Sequence, residues 1–236
     1  MAIPGIPNSY KGRNYRSLLE TRWAIMFEKL GWQAEYEPFE LNGWIPDFVL
    51  IGKHRSLLVE VKPFTHLDQY NDAIAKIENA VSGTDYEHSE ALLLGVNPAK
   101  ECEYWPQFAA IGWLGEYNDN CRWYAEAMTY QTSNDKFGLA SSEGSYGDRI
   151  YGEDFKNCYG DDSLSAEIAN LWAEAGSLTQ WKASSYSNAK ALFNRKMTPI
   201  EKEEWRKNTA YAFDNDRIEA ILRESRERTE RPDLED

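Results

Sequence analysis

Two short stretches decide the fold, Pro46-Asp47-Phe48-Val49-Leu50 and Glu60-Val61-Lys62. They belong to segments rich in Val, Ile and Leu, Trp44–Ile51 and Ser56–Val61, and this composition is typical of β-strands. The intervening Ile51-Gly52-Lys53-His54-Arg55 is turn-like. We therefore expect a β-hairpin that carries two carboxylates and a lysine at one end.

The pairing of this hairpin follows from its turn. If Lys53-His54 forms a two-residue turn, Asp47 lies directly opposite Glu60, and opposed residues have Cβ atoms about 4.5–5.5 Å apart. Side chains alternate between the faces of a strand, so Glu60 and Lys62 project to the same side. Two carboxylates this close repel each other unless positive charge lies between them, as a divalent cation and the Lys62 ammonium would provide.

Oxygen-rich clusters of this kind suit hard cations. Mg²⁺ (or Mn²⁺) takes oxygen ligands and keeps several waters. We expect Asp47, Glu60 and the main-chain carbonyl of Val61 to be its ligands, with Lys62 orienting or deprotonating the attacking water. Such a centre polarises a phosphate and activates water, which is the chemistry of phosphodiester hydrolysis.

A third acid comes from the helix that precedes the hairpin. Apolar residues at helical spacing predict a helix over 15–30, and Glu20 lies beside its apolar stripe. From there its carboxylate can reach over the sheet toward the metal, where three roles stay open: a ligand of that ion, a ligand of a second ion, or a partner of a metal-bound water. The alternative interpretation is a surface hairpin with a salt-bridge ladder, but a charged residue within the apolar run Ser56–Val61 is costly unless it is used.

The surrounding elements predict an α/β fold. An extended segment over 33–39 and the hairpin-turn dipeptide Asn42-Gly43 precede the two strands. A helix over 67–81 and a buried strand over 90–96 follow them. The predicted order is helix, three-stranded meander, helix, strand.

At this point the chain resembles the PD-(D/E)XK nuclease superfamily, whose restriction-endonuclease-like core has this order of elements. The pattern of the family is a helical Glu, then Pro-Asp, then Glu-x-Lys, and here these are Glu20, Pro46-Asp47 and Glu60-Val61-Lys62. The resemblance implies that Glu20, Asp47, Glu60 and Lys62 are catalytic. Some members carry a Gln and a Tyr on the helix after the lysine, which makes Gln69 a weak candidate because its spacing departs from that pattern.

The resemblance covers the core, 15–98. Three later stretches are similar to stretches in phage and bacterial nuclease-like members: Gly112-Trp113-Leu114, Gly144-Ser145-Tyr146, and Trp172 to Gly176 with Gln180-Trp181. These imply that a β-rich elaboration over 101–195 completes one nuclease domain over 15–195.

Other segments are assigned from their composition. Strands are expected over 108–114 and 122–130, and a helix over 163–175. Residues 1–14 are interpreted as a flexible arm, and 196–236 as a C-terminal helical tail.

Composition limits the function classes. The 236 residues carry a net charge of −13, which disfavours a protein that coats nucleic acid by bulk attraction but not a nuclease with clustered carboxylates. The 3 cysteines are widely spaced, so reduced structural thiols are favoured over a zinc site. Without an apolar segment long enough to span a membrane, we expect a cytoplasmic protein.

The function that these observations predict is metal-dependent hydrolysis of DNA in a phage, mobile-element or defence setting. Two alternatives stay open: an inactive nuclease-fold module for DNA or protein binding, and an endonuclease whose protein partner supplies DNA affinity. The aromatic residues over 104–130 have two interpretations, a β-rich core or a surface for stacking bases.

Overall fold

The computed structural model describes residues 6–96, 98, 100–118, 121–143, 147–153, 160 and 163–180. These residues fall within one compact unit, 1–180. The second unit, 181–236, lies outside the described residues, as do the predicted tail over 196–236 and the stretch 144–146.

The described part contains ten strands and three α-helices. Its strands are β1 Asn8–Tyr10, β2 Arg13–Tyr15, β3 Gln33–Tyr36, β4 Phe48–Ile51, β5 Ser56–Val61, β6 Ala91–Leu94, β7 Lys100–Glu101, β8 Ala109–Asn118, β9 Cys121–Gln131 and β10 Phe137–Ser141. Its helices are α1 Leu18–Leu30, α2 Asn71–Val81 and α3 Leu164–Thr179, with a 3₁₀ helix at Leu67–Tyr70 before α2.

Seven strands form one sheet in the order β10-β9-β8-β6-β5-β4-β3, and β7 pairs with β8 beside this path. Strands β3, β4 and β5 are an antiparallel meander, and β6 lies parallel to β5. A parallel neighbour requires a crossover connection, which the 3₁₀ helix and α2 provide. The fold is therefore mixed α/β, with the predicted order of helix, meander, helix and strand.

Two apolar layers enclose the sheet, because alternate residues of each strand face opposite sides. On one side Phe48 and Val59 pack with Trp23 of α1 and Ile168 of α3. On the other side Val49, Leu58 and Leu93 pack with Ile77 of α2. The side chains of β5 therefore alternate between the α1 and α3 layer and the α2 layer, and Glu60 shares the second side with Leu58.

Helix α1 begins and ends at its expected signals. The Ser17 hydroxyl accepts the Glu20 N–H at 3.1 Å, and Gly31 ends the helix with φ 73°, a left-handed conformation that glycine adopts at little cost. The helix starts at Leu18 rather than near residue 15, because Tyr15 belongs to β2.

The flexible arm predicted over 1–14 contains regular structure in its described part. Strands β1 and β2 form an antiparallel hairpin, and Lys11 and Gly12 at its turn have φ of 48° and 81°. Positive φ at both central residues is the signature of a type I′ turn. The strands predicted over 108–114 and 122–130 are present but longer, and β7 and β10 were not predicted.

A buried ion cluster fastens the segment 147–153 to the sheet. The Arg149 guanidinium donates two hydrogen bonds to Glu90, at 3.2 and 3.1 Å, and one to Glu116 at 2.7 Å. All three side chains are buried. Glu90 Oε1 also forms an ion pair with Arg55 Nη1 at 3.0 Å, but the Arg55 side chain is 54% exposed. The same acid thus has one buried and one exposed partner.

We expect Arg149→Ala to lower the free energy of unfolding by about 3–5 kcal/mol, because it leaves two buried carboxylates without this guanidinium. The matched variant Arg55→Ala should cost about 1 kcal/mol or less, since exposed ion pairs are screened by water. Urea unfolding monitored by circular dichroism measures both. Equal losses in the two variants would contradict the structural role of Arg149.

Candidate active site

The β4–β5 hairpin has the predicted register. Ile51 pairs with Ser56 and Phe48 with Val59, and the Gly52 N–H donates to the Arg55 carbonyl at 3.0 Å across the turn. Continuing this register by one step places Asp47 opposite Glu60, as the sequence predicted. The Asn42-Gly43 turn is also confirmed, with an antiparallel bridge between Leu41 and Trp44.

Strand β4 begins at Phe48 and not at Trp44, and Pro46 supplies the reason. In this register Pro46 would face Val61 at a hydrogen-bonded position, but proline has no N–H to donate. The Val61 N–H instead donates to Asp47 Oδ2 at 2.8 Å. The Asp47 carboxylate therefore replaces a main-chain acceptor where the ladder ends, and this bond fixes it against β5.

The Lys62 ammonium lies among the predicted metal ligands. Its Nζ is 2.5 Å from Glu60 Oε1 and 3.8 Å from Asp47 Oδ2. It also donates to the Val61 carbonyl at 3.2 Å. Both carboxylates are buried, with Asp47 3% and Glu60 6% exposed. The structure thus brings all three predicted oxygen donors around one positive charge.

Arg16 is a second cation at this site that sequence reasoning missed. Its Nη2 donates to Asp47 Oδ1 at 2.8 Å, and its Nε is 2.5 Å from Glu37 Oε1. The Arg16 side chain is 56% exposed. One oxygen of Asp47 therefore accepts a hydrogen bond from Arg16, and the other accepts one from the Val61 N–H. Position 16 gave no signal, because its approach to Asp47 depends on how α1 packs against the sheet.

Glu20 lies beside this cluster rather than within it. Its Oε2 accepts the Arg16 N–H at 3.1 Å and the Tyr36 hydroxyl at 2.7 Å, and its Oε1 accepts the Ser17 hydroxyl at 2.9 Å. These contacts stabilise the start of α1. Glu20 connects to Asp47 through Arg16, so the three predicted acids do not form a single group of ligands in this structure.

Trp44 contacts the cluster, whereas Gln69 binds only its own local segment. The Trp44 indole N–H donates to Glu60 Oε2 at 3.0 Å, a contact that sequence reasoning did not anticipate. Gln69, the weak candidate, instead caps the 3₁₀ helix: its Oε1 accepts the N–H groups of Thr65 and His66 at 2.8 and 3.1 Å. The Gln69 carbonyl is thereby used in local structure, in an exposed part of the chain.

The charges of the site perturb each other. Burial and the nearby Glu60 raise the pKa of Asp47 to about 7, against the opposing effects of Lys62 and the Val61 N–H. Burial by itself lowers the pKa of Lys62, but the carboxylates of Glu60 and Asp47 outweigh it and the net pKa is raised. Lys62 is therefore an ammonium at neutral pH in this arrangement.

Comparisons with known proteins leave the site without a relative. No protein-family model, curated protein or solved structure matches the chain significantly. Across the described ranges, no three or more Asp, Glu, His or Cys side chains are grouped so as to hold a metal ion. Within the same residues, no helix is long and apolar enough to cross a membrane.

The raised pKa of Asp47 predicts a pH dependence of stability. The folded pKa of about 7 lies above the ordinary 3.8. Between these values the folded state holds a proton that the unfolded state has released, so stability falls as pH rises. In EDTA, wild type should therefore lose more unfolding free energy than Asp47→Asn between about pH 4 and about pH 8, on the order of 1.4 kcal/mol for each pKa unit.

Denaturant unfolding across this pH range measures the difference. Asp72→Asn, at an exposed position in the first turn of α2, is the matched control and should follow wild type. An Asp47→Asn curve parallel to wild type would show that Asp47 keeps an ordinary pKa.

Proposed function

We propose that the chain is a metal-dependent nuclease that hydrolyses phosphodiester bonds of DNA, built on a restriction-endonuclease-like core. One observation carries this proposal: two buried carboxylates and a main-chain carbonyl surround the Lys62 ammonium at the end of a hairpin. The resemblance of Glu20, Pro46-Asp47 and Glu60-Val61-Lys62 to the PD-(D/E)XK pattern supports the same proposal.

The donor set fits a hard divalent cation. Asp47, Glu60 and the Val61 carbonyl offer only oxygen atoms, which Mg²⁺ and Mn²⁺ prefer. Their convergence on the Lys62 ammonium supports a preference of this site for positive charge. The buried pair carries more negative charge than Lys62 alone balances, which is consistent with the raised pKa of Asp47. Asp47, Glu60 and Val61 would hold the ion, and Glu20 would contact it through water or after rearrangement.

A bound Mg²⁺ would polarise the phosphate and lower the pKa of a water molecule that it binds. The residues of the chain then have separate tasks. Asp47 and Glu60 are fixed by the Val61 N–H and the Trp44 indole, so their oxygens need little reorganisation. Lys62, an ammonium because its pKa is raised, stabilises negative charge on the phosphate and orients the attacking water. In hydrolysis the water oxygen bonds to phosphorus while the bond to the leaving oxygen breaks, and the leaving oxygen takes up a proton.

The alternative function is an inactive nuclease-fold module for DNA or protein binding, and one observation favours it. Lys62 pairs with Glu60 and Arg16 with Asp47, so each acid has a cationic partner without any metal. A cluster balanced in this way can serve as a structural element. Metal binding separates the two functions, because only the nuclease requires it.

The first test is cleavage of supercoiled, linear and branched DNA with Mg²⁺, Mn²⁺ or EDTA. We expect cleavage with either metal and none with EDTA. Asp47→Ala and Lys62→Ala should each lower the rate by at least about 100-fold, because each removes charge at the reacting phosphate. The controls Asp72→Ala and Lys76→Ala remove exposed charges from α2 and should cleave like wild type.

Two outcomes would overturn the nuclease proposal. Cleavage that survives Asp47→Ala would place the chemistry elsewhere or in a contaminant. Absence of both cleavage and Mn²⁺ binding, with a folded wild-type protein, would favour the module.

Arg16 provides a separate prediction about the metal. Its guanidinium occupies Asp47 Oδ1, so Arg16→Gln should free this oxygen and tighten Mn²⁺ binding by about tenfold, the strength typical of a charged hydrogen bond. Electron paramagnetic resonance of free Mn²⁺ measures the affinity without any turnover. Arg13→Gln removes an exposed charge from β2 and controls for long-range electrostatics; its affinity should change less than about twofold. Unchanged affinity in Arg16→Gln would show that Arg16 does not compete with the ion.

A further inference from the structure

The strand pairings align the site with residues three strands away. Glu60 of β5 pairs with Leu93 of β6, Leu93 pairs with Trp113 of β8, and Trp113 pairs with Glu126 of β9. Paired residues of neighbouring strands share a face of the sheet. Asp47, Glu60, Leu93, Trp113 and Glu126 therefore form one transverse row on the α2 side.

A bulge in β8 creates this alignment. The pairing of β8 with β9 shifts between Ala110 and Gly112, so that Ile111 is the extra residue. Without the shift, Gly112 and not Trp113 would lie opposite Glu126. Bulges commonly re-aim side chains beside functional sites. Neighbouring strands are about 4.8 Å apart, so Trp113 lies about 10 Å along the row from Glu60 and Glu126 about 5 Å farther.

A cleft of about 850 Å³ opens at this end of the row, lined in part by Trp113 and Glu126 together with Phe64, His66 and Glu103. Phe64, which lines the cleft, is two residues after Lys62 in the chain. The Phe64 N–H donates to the Lys62 carbonyl at 2.8 Å. The cleft therefore adjoins the segment that carries the catalytic lysine.

Tyr70 connects the cleft to the site. Its ring packs against Phe64 and Trp113, with centroids 5.0 and 5.4 Å apart. Burial and the nearby Glu60 raise its pKa. The Tyr70 hydroxyl is fully buried and makes no hydrogen bond within the described residues. It also lies 3.3 Å from where a Cβ on Gly95, another cleft residue, would be. Among the described residues, this buried hydroxyl thus has no hydrogen-bond partner, and it lies between the site and the cleft.

We propose that this cleft binds one unpaired nucleobase of the DNA, and that it prefers the bases with an exocyclic amine (cytosine, adenine and guanine) over thymine. The proposal rests on the nuclease function and specifies its substrate as single-stranded or locally unpaired DNA. The base stacks on Trp113, because aromatic faces hold bases without regard to sequence. The Glu126 and Glu103 carboxylates accept hydrogen bonds from the amine, as acidic side chains do from cytosine N4.

The chemistry of the lining favours this ligand over a bare phosphate. Glu126 Oε2 already accepts the Glu103 N–H at 2.7 Å, and a carboxylate oxygen accepts more than one donor. Two acids repel phosphate but attract amines, while the aromatic residues suit a flat apolar ring. Thymine presents a carbonyl oxygen in place of the amine, so it is disfavoured beside the carboxylates.

The test measures binding without turnover. Fluorescence anisotropy of labelled six-nucleotide oligo(dC) and oligo(dT), in EDTA at low salt, gives the two affinities. We expect wild type to bind oligo(dC) at least about fivefold more tightly than oligo(dT), from one carboxylate–amine contact. Trp113→Leu should weaken both by about tenfold. Glu126→Gln, which is nearly isosteric, should reduce the difference and keep the oligo(dT) affinity, because the Glu103 carboxylate still accepts from the amine.

Control variants separate stacking from general damage. Trp113→Phe keeps a ring and should restore most of the affinity, and thermal unfolding verifies that each variant is folded. Tyr104→Leu removes an aromatic ring that is 63% exposed and does not line the cleft, so it should bind like wild type.

Three results would overturn the base site: no binding of either oligonucleotide by wild type, equal affinities for the two, or a Trp113→Leu loss no larger than that of Tyr104→Leu. The nuclease function is judged separately by metal-dependent cleavage. Binding with this base preference but neither cleavage nor Mn²⁺ binding would overturn the nuclease function and keep the base site. Metal-dependent cleavage without any base preference would keep the nuclease function and overturn the base site.

Discussion

The structure depends on the placement of two buried carboxylates, Asp47 and Glu60, beside one ammonium. Buried charges of like sign are unfavourable, and the fold accepts them because each carboxylate binds a hydrogen-bond donor and a cation. The Val61 N–H and Arg16 hold Asp47, while the Trp44 indole and Lys62 hold Glu60. Asp47 still titrates near neutral pH. Such residual imbalance is typical of functional sites, where chemistry and not stability selects the residues.

The end of a β-ladder is what makes this placement possible. Inside a sheet, main-chain groups satisfy each other and a carboxylate has no donor to bind. Pro46 interrupts that pattern, so the Val61 N–H becomes available to Asp47. Glu60 lies within β5, but Asp47, the residue opposite it, precedes the first residue of β4 and is not part of a strand. One proline thus allows a polar cluster to form where the strand ends, beside an otherwise apolar layer.

Local signals in the sequence were enough for the centre of the site. The two-residue turn at Lys53-His54 set the register, so the convergence of Asp47, Glu60 and Lys62 could be predicted. Glu20 shows where local reasoning could have gone further: Ser17-x-x-Glu20 is a capping-box pattern, and its contacts are those of a cap. The Lys11-Gly12 dipeptide is also a turn signal. The segment around it was nevertheless predicted to be a flexible arm, because two strands of three residues give almost no periodic pattern.

Contacts between distant segments could not be predicted in this way. Arg16 reaches Asp47 across 31 positions, and Arg149 reaches Glu90 across 59. Neither residue type nor spacing predicts an ion pair between such distant positions, because the pair depends on how whole helices and strands pack. The transverse row has the same origin: Trp113 joins it only through the pairing of β6 with β8 and the bulge at Ile111.

The net charge of −13 is compatible with the base-binding cleft proposed at the end of the transverse row. A strongly acidic protein gains little from attraction to the DNA backbone, so it has to gain affinity from contacts that do not depend on phosphate charge. Stacking on an aromatic face and hydrogen bonds from base amines to carboxylates are contacts of that kind. Both work with acidic side chains, and the second requires them. The acidity that argues against a coat of duplex DNA is therefore compatible with the base site that we propose, which would bring a neighbouring phosphate toward Lys62.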